Sequence, residues 1–274
     1  MMDLHIHSNY SDGNKSPREI IEECKNKGIS VISFTDHNTI KEYNDKSISN
    51  ADIEINRGAE FYPDMDNINM FHLLAYDFDL TDDIISLFDE LDNNRLVSMM
   101  EKLDYIRKNY DIDIDINDLD HTWLSNYTLR NYLLEKYPAE DADKIIDAIN
   151  KSGFKIKKRI DCIRLLDTIR NANGIPVLAH PKTIIYDDFD GFVKRLVDNG
   201  LMGIEAYYSS HNPEEVKKYL EIAKKYNLLI SGGSDFHGYG KKDYNGNDVE
   251  LGGYYCEDPS KISVLKYIRG DKNV

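Results

Sequence analysis

Three apolar runs of this chain end in short segments that are rich in histidine and aspartate. The segments are DLHIHSNYSDG at residues 3–13, TDHNT at 35–39 and SGGSDFHG at 231–238. Each apolar run is typical of a buried β-strand, so each segment is predicted to lie where a strand ends. Imidazole and carboxylate groups are ligands of zinc, manganese and iron. We therefore expect a fold that brings several strand ends together around metal ions.

Composition and charge limit the class of protein. The chain has 274 residues, of which 41% are hydrophobic and 30% charged, as in soluble globular proteins. A formal net charge of −15 argues against an extended nucleic-acid surface or binding to an anionic membrane. The three cysteines are far apart, and the first residues lack the basic and apolar segments of a signal peptide, which predicts a cytoplasmic location. No apolar run approaches the roughly 20 residues of a membrane helix.

Strand-like and helix-like segments alternate in the first 80 residues. The apolar and β-branched runs predict strands at residues 2–6, 29–35, 53–61 and 70–78. A helix is predicted at residues 16–28, because a serine, a proline and a glutamate at its start and a glycine at its end are typical helix boundaries.

The middle of the chain has a different pattern. Residues 81–158 show helical periodicity and contain no clear strand run, apart from the ambiguous acidic stretch DIDIDI at 111–116. We therefore predict a mainly helical insertion subdomain at 81–158. It interrupts a main domain formed by residues 1–80 and 159–274.

The alternation resumes after the insertion. Helices are predicted at residues 159–172, 188–199, 213–227 and 259–269, and strands at 176–180, 202–208 and in the run LLISGG. Seven strand-like runs thus alternate mostly with helices along the chain. This pattern favours an α/β fold with a barrel-like sheet over an open sheet.

Nine residues in or beside the predicted strands have side chains that ligate metals. They are His5, His7, Asp12, His37, Glu60, His72, His180, Asp235 and His237. The first two histidines point to the same side of an extended strand, and a carboxylate inside the apolar run at 53–61 is costly without a cation. Nine ligands exceed the needs of one ion with an open position, so two or three divalent ions are expected, with at least one bridging carboxylate.

Single members of this set have simpler explanations. Asp12 precedes a glycine and, taken alone, is explained as a turn residue. His72 lies in the apolar run MFHLLAY and could equally be a buried, hydrogen-bonded side chain. The set as a whole is not explained in this way, because six of the eight histidines recur at or near strand ends.

These motifs resemble those of the PHP family, the polymerase and histidinol phosphatase superfamily. DLHIHSNYSDG is its most specific motif, and TDHNT, the glutamate of GAE, AHP and SDFHG follow in the family's order. The resemblance extends over nearly the whole chain. It implies a distorted seven-stranded (β/α) TIM-like barrel that binds up to three ions of zinc, manganese or iron, and it implies hydrolysis of phosphate esters.

The resemblance also implies how the ligands are shared. It divides the nine residues into three sets, which are His5, His7, Glu60 and Asp235; Glu60, His72 and His180; and Asp12, His37 and His237. A trinuclear metal centre of this kind would attack phosphorus with a metal-bound hydroxide, since a metal lowers the pKa of bound water to about 7.

Candidates for substrate binding are fewer. Ser210 and His211 precede a predicted helix start, where free backbone N–H groups favour anions, and His211 is a candidate general acid. The alternative is that Ser210 or Asn212 only caps the helix and that His211 is exposed. In the family members with a helical insertion that this chain resembles, the insertion often supplies an arginine to the substrate, commonly within an Arg-x-x-His-like pattern. That pattern is absent here. Arg130 is the nearest substitute, although it could be a solvated helix residue, and His121 is predicted to be a surface residue.

We predict a metal-dependent phosphoesterase that acts on a small phosphorylated molecule. The resemblance favours a nucleotide of the 3′,5′-bisphosphate type or the end of a short oligonucleotide. The alternatives are a histidinol-phosphate phosphatase, a metal-dependent amide hydrolase and a non-catalytic metal-binding module.

Overall fold

The computed structural model describes the chain except for residues 66, 67, 69, 70, 121, 154–158, 255, 257 and 258. His121, which we predict to be a surface residue, lies outside the described residues, as does the first residue of the predicted strand 70–78. The chain divides into two compact units. The first unit contains residues 1–85 and 160–274, and the second contains residues 86–159.

The described residues form ten β-strands. They are β1 (Met2–Ile6), β2 (Val31–Phe34), β3 (Glu54–Ile55), β4 (Gly58–Phe61), β5 (Pro63–Asp64), β6 (Leu73–Tyr76), β7 (Ile160–Asp161), β8 (Ile175–Leu178), β9 (Gly203–Tyr208) and β10 (Leu229–Gly233). All seven predicted strand runs have counterparts in this set. The two-residue strands β5 and β7 are additions that the sequence pattern did not predict.

The same residues form nine α-helices and four short 3₁₀ helices. The α-helices are α1 (Pro17–Asn26), α2 (Lys46–Ser49), α3 (Asp82–Tyr110), α4 (Asn126–Lys136), α5 (Ala139–Lys151), α6 (Cys162–Asn171), α7 (Phe189–Asp198), α8 (Pro213–Tyr226) and α9 (Ser263–Ile268). The 3₁₀ helices are Lys41–Asn44, Ile116–Asp118, Pro181–Thr183 and Pro259–Lys261. Within the described part of the chain, no helix combines the length and apolar character that a membrane crossing requires.

The strands pair in three sheets. One sheet has the order β1–β2–β3, a second has the order β10–β9–β8–β6–β4, and a third pairs β5 with β7. The second sheet is mixed, because β6 runs antiparallel to both β8 and β4. The described strands therefore form a mixed α/β fold rather than the purely parallel sheet of a (β/α) barrel, and their sheet pairing does not close into a barrel.

Two isolated bridges connect the larger sheets. Ile6 at the end of β1 pairs with Phe236, which follows β10, and His37, which follows β2, pairs with Glu60 of β4. Both bridges lie at the strand ends that carry the predicted metal-ligating residues. These ends are thereby held together by backbone contacts.

The predicted strand at 53–61 is two strands in the structure. Ile55 of β3 pairs in parallel with Ile32, whereas Glu60 of β4 pairs antiparallel with Leu74, so the run changes sheets between them. Gly58 lies at this change. A Cβ atom there would come within 2.4 Å of the Ser33 hydroxyl, so only glycine permits the close approach.

Apolar packing fixes the strands of the first unit. One core cluster contains Leu4 of β1, Leu74 of β6, Val177 of β8, Val216 of α8 and Val264 of α9, all of them buried. Each such side chain contributes about 1.5–3 kcal/mol when fully buried. The helices thus hold the sheet from outside while its strand ends carry polar groups.

The second unit contains most of α3 together with α4 and α5. Its core includes Leu103, Leu129, Leu133, Ile145 and Ile149, which are all buried. The buried residues of α5 recur at helical spacing, as in an amphipathic helix that packs on one face. Residues 86–153, where described, contain no strand, so the ambiguous stretch at 111–116 is not one.

Candidate metal centre

The nine predicted metal-ligating residues converge at one set of strand ends. They lie on or just beyond β1, β2, β4, β8 and β10, or in the turn that follows β1, and His72 immediately precedes β6. The position of His72 follows from strand direction. Because β6 runs antiparallel to its neighbours, its beginning lies at the same edge as their ends. The structure therefore explains how a residue before a strand joins residues that follow strands.

These residues form three overlapping groups that could hold metal ions. Within each group the ligand atoms lie within 4.8 Å of one another. The groups are His5, His7, Glu60 and Asp235; Glu60, His72 and His180; and His7, Asp12, His37 and His237. They correspond to the predicted sets, with the difference that His7 also reaches the third group.

The two carboxylate oxygens of Glu60 face different groups. Its Oε1 lies 2.9 Å from His72 Nδ1 and 2.8 Å from His180 Nε2. Its Oε2 lies 2.9 Å from His37 Nδ1 and 3.2 Å from His7 Nε2. Burial alone would raise the pKa of Glu60, but the surrounding histidines hold it well below its ordinary value. The ionised carboxylate would therefore be able to hold a cation on each of its two oxygens.

The chemistry of the donor atoms fits divalent cations. Glu60 Oε2 and Asp235 Oδ1 are buried, and no described residue donates a hydrogen bond to either oxygen. A buried carboxylate oxygen without a donor is costly unless a cation lies beside it. His5 Nε2 and His7 Nε2 also face each other at 3.2 Å. Oxygen and imidazole donors in this mixture suit zinc, manganese or ferrous iron.

Glu205 of β9 contacts two of the predicted metal ligands, His5 and His180. It is completely buried, and its Oε1 lies 2.9 Å from His5 Nδ1. Its Oε2 accepts a hydrogen bond of 2.7 Å from the backbone N–H of His180. A carboxylate that accepts the Nδ1 proton leaves the lone pair of His5 Nε2 directed at the metal group. Sequence reasoning missed Glu205, although it carries the signal used for Glu60, a single carboxylate within the apolar run GIEAYY.

Asp235 is held in a similar way by its second oxygen. Tyr208 donates its hydroxyl to Asp235 Oδ2 over 3.1 Å, and the ammonium group of Lys241 contacts the same oxygen. Asp235 Oδ1 faces His5 and His7 instead. The two oxygens of Asp235 therefore have separate environments, one toward the metal group and one toward its supports.

Two of the predicted metal-ligating residues have backbone conformations that are unusual outside glycine. His180 has a φ of 24° and Asp235 a φ of 57°. Such conformations cost about 1–3 kcal/mol and persist where surrounding contacts fix them. The backbone N–H of Asp235 donates to the His5 carbonyl, and that of His180 donates to Glu205. The strain lies at the two positions where a strand end turns into the site.

Asp12 lies in a turn and also reaches the histidines of the third group. Its Oδ1 is 3.1 Å from His237 Nε2 and its Oδ2 is 3.4 Å from His37 Nε2. Burial would lower the pKa of His37, but Asp12 and Glu60 raise it to about 10. The turn explanation for Asp12 therefore does not exclude contact with the group.

The structure agrees with only part of what was predicted for the residues next to α8. Asn212 caps the helix together with Glu215, whereas Ser210 donates its hydroxyl to the Lys242 carbonyl over 2.8 Å. The alternative that His211 is exposed is wrong, because the side chain is fully buried. Its Nδ1 donates to the Ala206 carbonyl over 2.9 Å, and burial lowers its pKa to about 4. His211 is therefore neutral at pH 7, and its buried Nε2 has no hydrogen-bond partner among the described residues.

Arg130 lies on α4 in the second unit. Its Nε donates to Asp143 Oδ1 over 2.7 Å, and the side chain is partly exposed. This pairing agrees with a solvated helix residue and leaves the remaining guanidinium donors available.

Comparison with known proteins identifies the family. The PHP domain model matches residues 3–231, which is most of the chain. This chain belongs to the PHP family. One curated relative, the phosphoribosyl 1,2-cyclic phosphate 1,2-diphosphodiesterase of Eggerthella lenta, is 25% identical over 253 residues, covering 86% of this chain and 94% of the relative. The 3′,5′-nucleoside bisphosphate phosphatase of Chromobacterium violaceum is 23% identical over 266 residues, covering 90% of each chain.

A solved structure has the same fold. The protein from Bifidobacterium adolescentis described as a metal-dependent phosphoesterase matches with a TM-score of 0.75 and 22% identity. The match covers 97% of this chain and 96% of that one. At this level of identity the likeness concerns the fold.

Proposed function

We propose that this PHP-family chain is a metal-dependent phosphoesterase that hydrolyses a small phosphorylated substrate. The observation that carries the proposal is Glu60, whose two oxygens face two different groups of histidines. A bridging carboxylate is a feature of sites that hold two cations close together, and such sites suit in-line displacement at phosphorus.

The proposed centre holds two or three ions of zinc, manganese or iron. His5, His7, Glu60 and Asp235 would hold the first ion, Glu60, His72 and His180 the second, and Asp12, His37 and His237 the third. We assign His7 to the first ion because its Nε2 lies 3.2 Å from both Glu60 and Asp235, whereas its Nδ1 is 3.7 Å from Asp12.

Bound divalent ions would lower the pKa of water and neutralise charge on the phosphoryl group. The chain's own residues would then fix the geometry. Glu205 holds the His5 ring and the His180 backbone, and Tyr208 holds Asp235, so the ligands keep their positions as charge develops. His211 is neutral at pH 7, and its Nε2 is a hydrogen-bond acceptor that is buried in this structure. A proton donor on the leaving group would have to be another group, because a pKa of about 4 leaves little protonated His211.

The relatives support a sugar phosphate or nucleotide as substrate. The names of both relatives describe a sugar that carries more than one phosphate group. We therefore propose a substrate of the 3′,5′-bisphosphate type or the phosphorylated end of a short oligonucleotide. Ser210, His211 and Arg130 remain candidates for contacts to it.

We also propose that seven strands form a distorted TIM-like barrel. The bridges from Ile6 to Phe236 and from His37 to Glu60 support this arrangement, because they connect the two larger sheets on both sides. The strands in ring order would be β1, β10, β9, β8, β6, β4 and β2.

A substrate panel tests the proposed function. The protein is stripped with a chelator, reconstituted with zinc, manganese or iron, and incubated with adenosine 3′,5′-bisphosphate, a 5′-phosphorylated RNA oligonucleotide, histidinol phosphate and a simple amide. We expect metal-dependent phosphate release from the bisphosphate or nucleotide products from the oligonucleotide. Cleavage of the amide alone, or of no substrate by fully metal-loaded protein, would overturn the proposal.

A further inference from the structure

Lys241 contacts the buried predicted metal ligand Asp235 and also lines a cavity. Its ammonium group contacts Asp235 Oδ2, and its side chain is 36% exposed whereas that of Asp235 is 1% exposed. An ammonium group has three donors, and the contact with Asp235 uses one of them. Because Asp235 Oδ1 faces His5 and His7, the lysine can keep its contact while that oxygen binds a metal.

The cavity beside Lys241 is lined in part by one residue of the candidate metal centre. Its volume is about 290 Å³, and its lining includes Lys241, Gly238 and His237, a member of the third metal group. Since one liquid water takes about 30 Å³, this space can hold a phosphate group together with several waters.

The neighbouring lysines are engaged elsewhere. Lys242 pairs with Asp248, which also lines the cavity, and Lys182 pairs with Glu215. Of the described lysines, Lys241 is the one whose ammonium group contacts a predicted metal ligand. The whole chain has a net charge of −15 and repels anions. The positive charge of Lys241 would attract an anion at this one position.

We propose that this cavity is a subsite for the second, non-reacting phosphate group of the substrate, and that Lys241 binds that phosphate. The inference rests on the proposed phosphoesterase function and deepens it by assigning a binding residue to the second phosphate group. The predicted metal ligands would hold the reacting phosphate through their bound ions. Lys241 then favours bisphosphates over monophosphates, because a substrate without the second phosphate leaves its remaining donors without an anionic partner.

The test compares adenosine 3′,5′-bisphosphate with adenosine 3′-monophosphate and 5′-monophosphate on metal-loaded protein. Lys241→Met should lower the ratio of kcat/KM for the bisphosphate to that for the better monophosphate by about 10-fold or more, as expected for loss of hydrogen bonds to a charged group. Lys241→Arg should retain most of the ratio. Lys194→Met removes the same charge from the surface pair with Asp198 and should leave the ratio unchanged.

Two results count against the proposals, one against the subsite and one against the proposed function. In the first, Lys241→Met lowers kcat/KM for all three substrates equally and also weakens metal retention, which would make Lys241 a support of Asp235 only. In the second, wild-type protein with full metal content hydrolyses none of them, which removes the proposed function itself. Binding of inorganic phosphate, measured by calorimetry, then decides the subsite separately, and equal affinity in wild type and Lys241→Met would refute it.

Discussion

The two compact units bury different kinds of side chain. Among its described residues, the first unit buries six carboxylates, which are Asp3, Asp36, Glu42, Glu60, Glu205 and Asp235. Among the described residues of the second unit no carboxylate is buried, and the core is formed by leucine, isoleucine and similar side chains. Both units contain apolar cores, so the carboxylates of the first unit are not needed to build one.

The buried carboxylates of the first unit are explained by function, whereas the apolar core of the second unit is explained by stability. Buried charges are costly, and buried ion pairs are often no better for stability than apolar groups of the same size. The carboxylates around Glu60 are therefore explained by what they bind, whereas the helices of the second unit are explained by packing. Substitutions in the two units should consequently fail in different ways.

The largest effect on function is expected from Glu60→Gln. The amide cannot bridge two cations, so activity should fall by more than the roughly 100-fold typical of losing an outer-shell partner. Elemental analysis should show a lower metal content per chain, while circular dichroism stays close to wild type. A variant with full metal content and full activity would remove the bridging role of Glu60.

Leu133→Ala in the second unit is expected to lower stability without lowering metal content. Leu133 is fully buried in the apolar core there, and such truncations cost about 2–5 kcal/mol of unfolding free energy. Metal content per folded chain should not change. Loss of metal from folded Leu133→Ala protein would show that the two units are not separated in this way.

A smaller effect is expected from Glu205→Gln. Glutamine can still accept from the His180 backbone but binds the His5 ring without a charge, so metal affinity should fall by about 10–100-fold. Competition with a chelator measures this directly and does not depend on turnover. The exposed Glu140→Gln on α5 is the control, and equal affinities in both variants would contradict a positioning role for Glu205.

The smallest effect is expected from Arg130→Ala. Arg130 already donates to Asp143, so its removal should leave metal content unchanged and alter KM less than Lys241→Met does. Steady-state kinetics with the bisphosphate substrate measure the change. A KM increase larger than that of Lys241→Met would make Arg130 the principal phosphate contact.

Much of the fold was predictable because local patterns determine it. The punctuation of α1 and α8 by serine or asparagine, proline and glutamate is visible in the sequence, and both helices have these caps in the structure. The direction of β6 was not predictable, since an apolar run looks the same in a parallel and an antiparallel pair. The split of residues 53–61 depends on the contact between Gly58 and Ser33, which no local pattern records.

The choice of the predicted metal ligands follows from residue types at strand ends, whereas their division into three sets follows from the resemblance to the PHP family. The structure brings the ligands within reach of one another. The residues that contact the predicted ligands from outside the set, Glu205 and Lys241, were not predicted. Glu205 could have been found from its position in an apolar run, whereas Lys241 follows a bend that contains Gly238 and Gly240 and gives no signal of its own. Long-range contacts such as that between Lys241 and Asp235 depend on the whole fold.

The most direct measurement is metal content and phosphate release determined on one sample before and after chelation. Elemental analysis of the reconstituted protein should find two or three divalent ions per chain, and phosphate release from adenosine 3′,5′-bisphosphate should disappear with them and return on their replacement. Full hydrolysis by chelated protein that contains no metal would contradict the proposal that these nine residues form a catalytic metal centre.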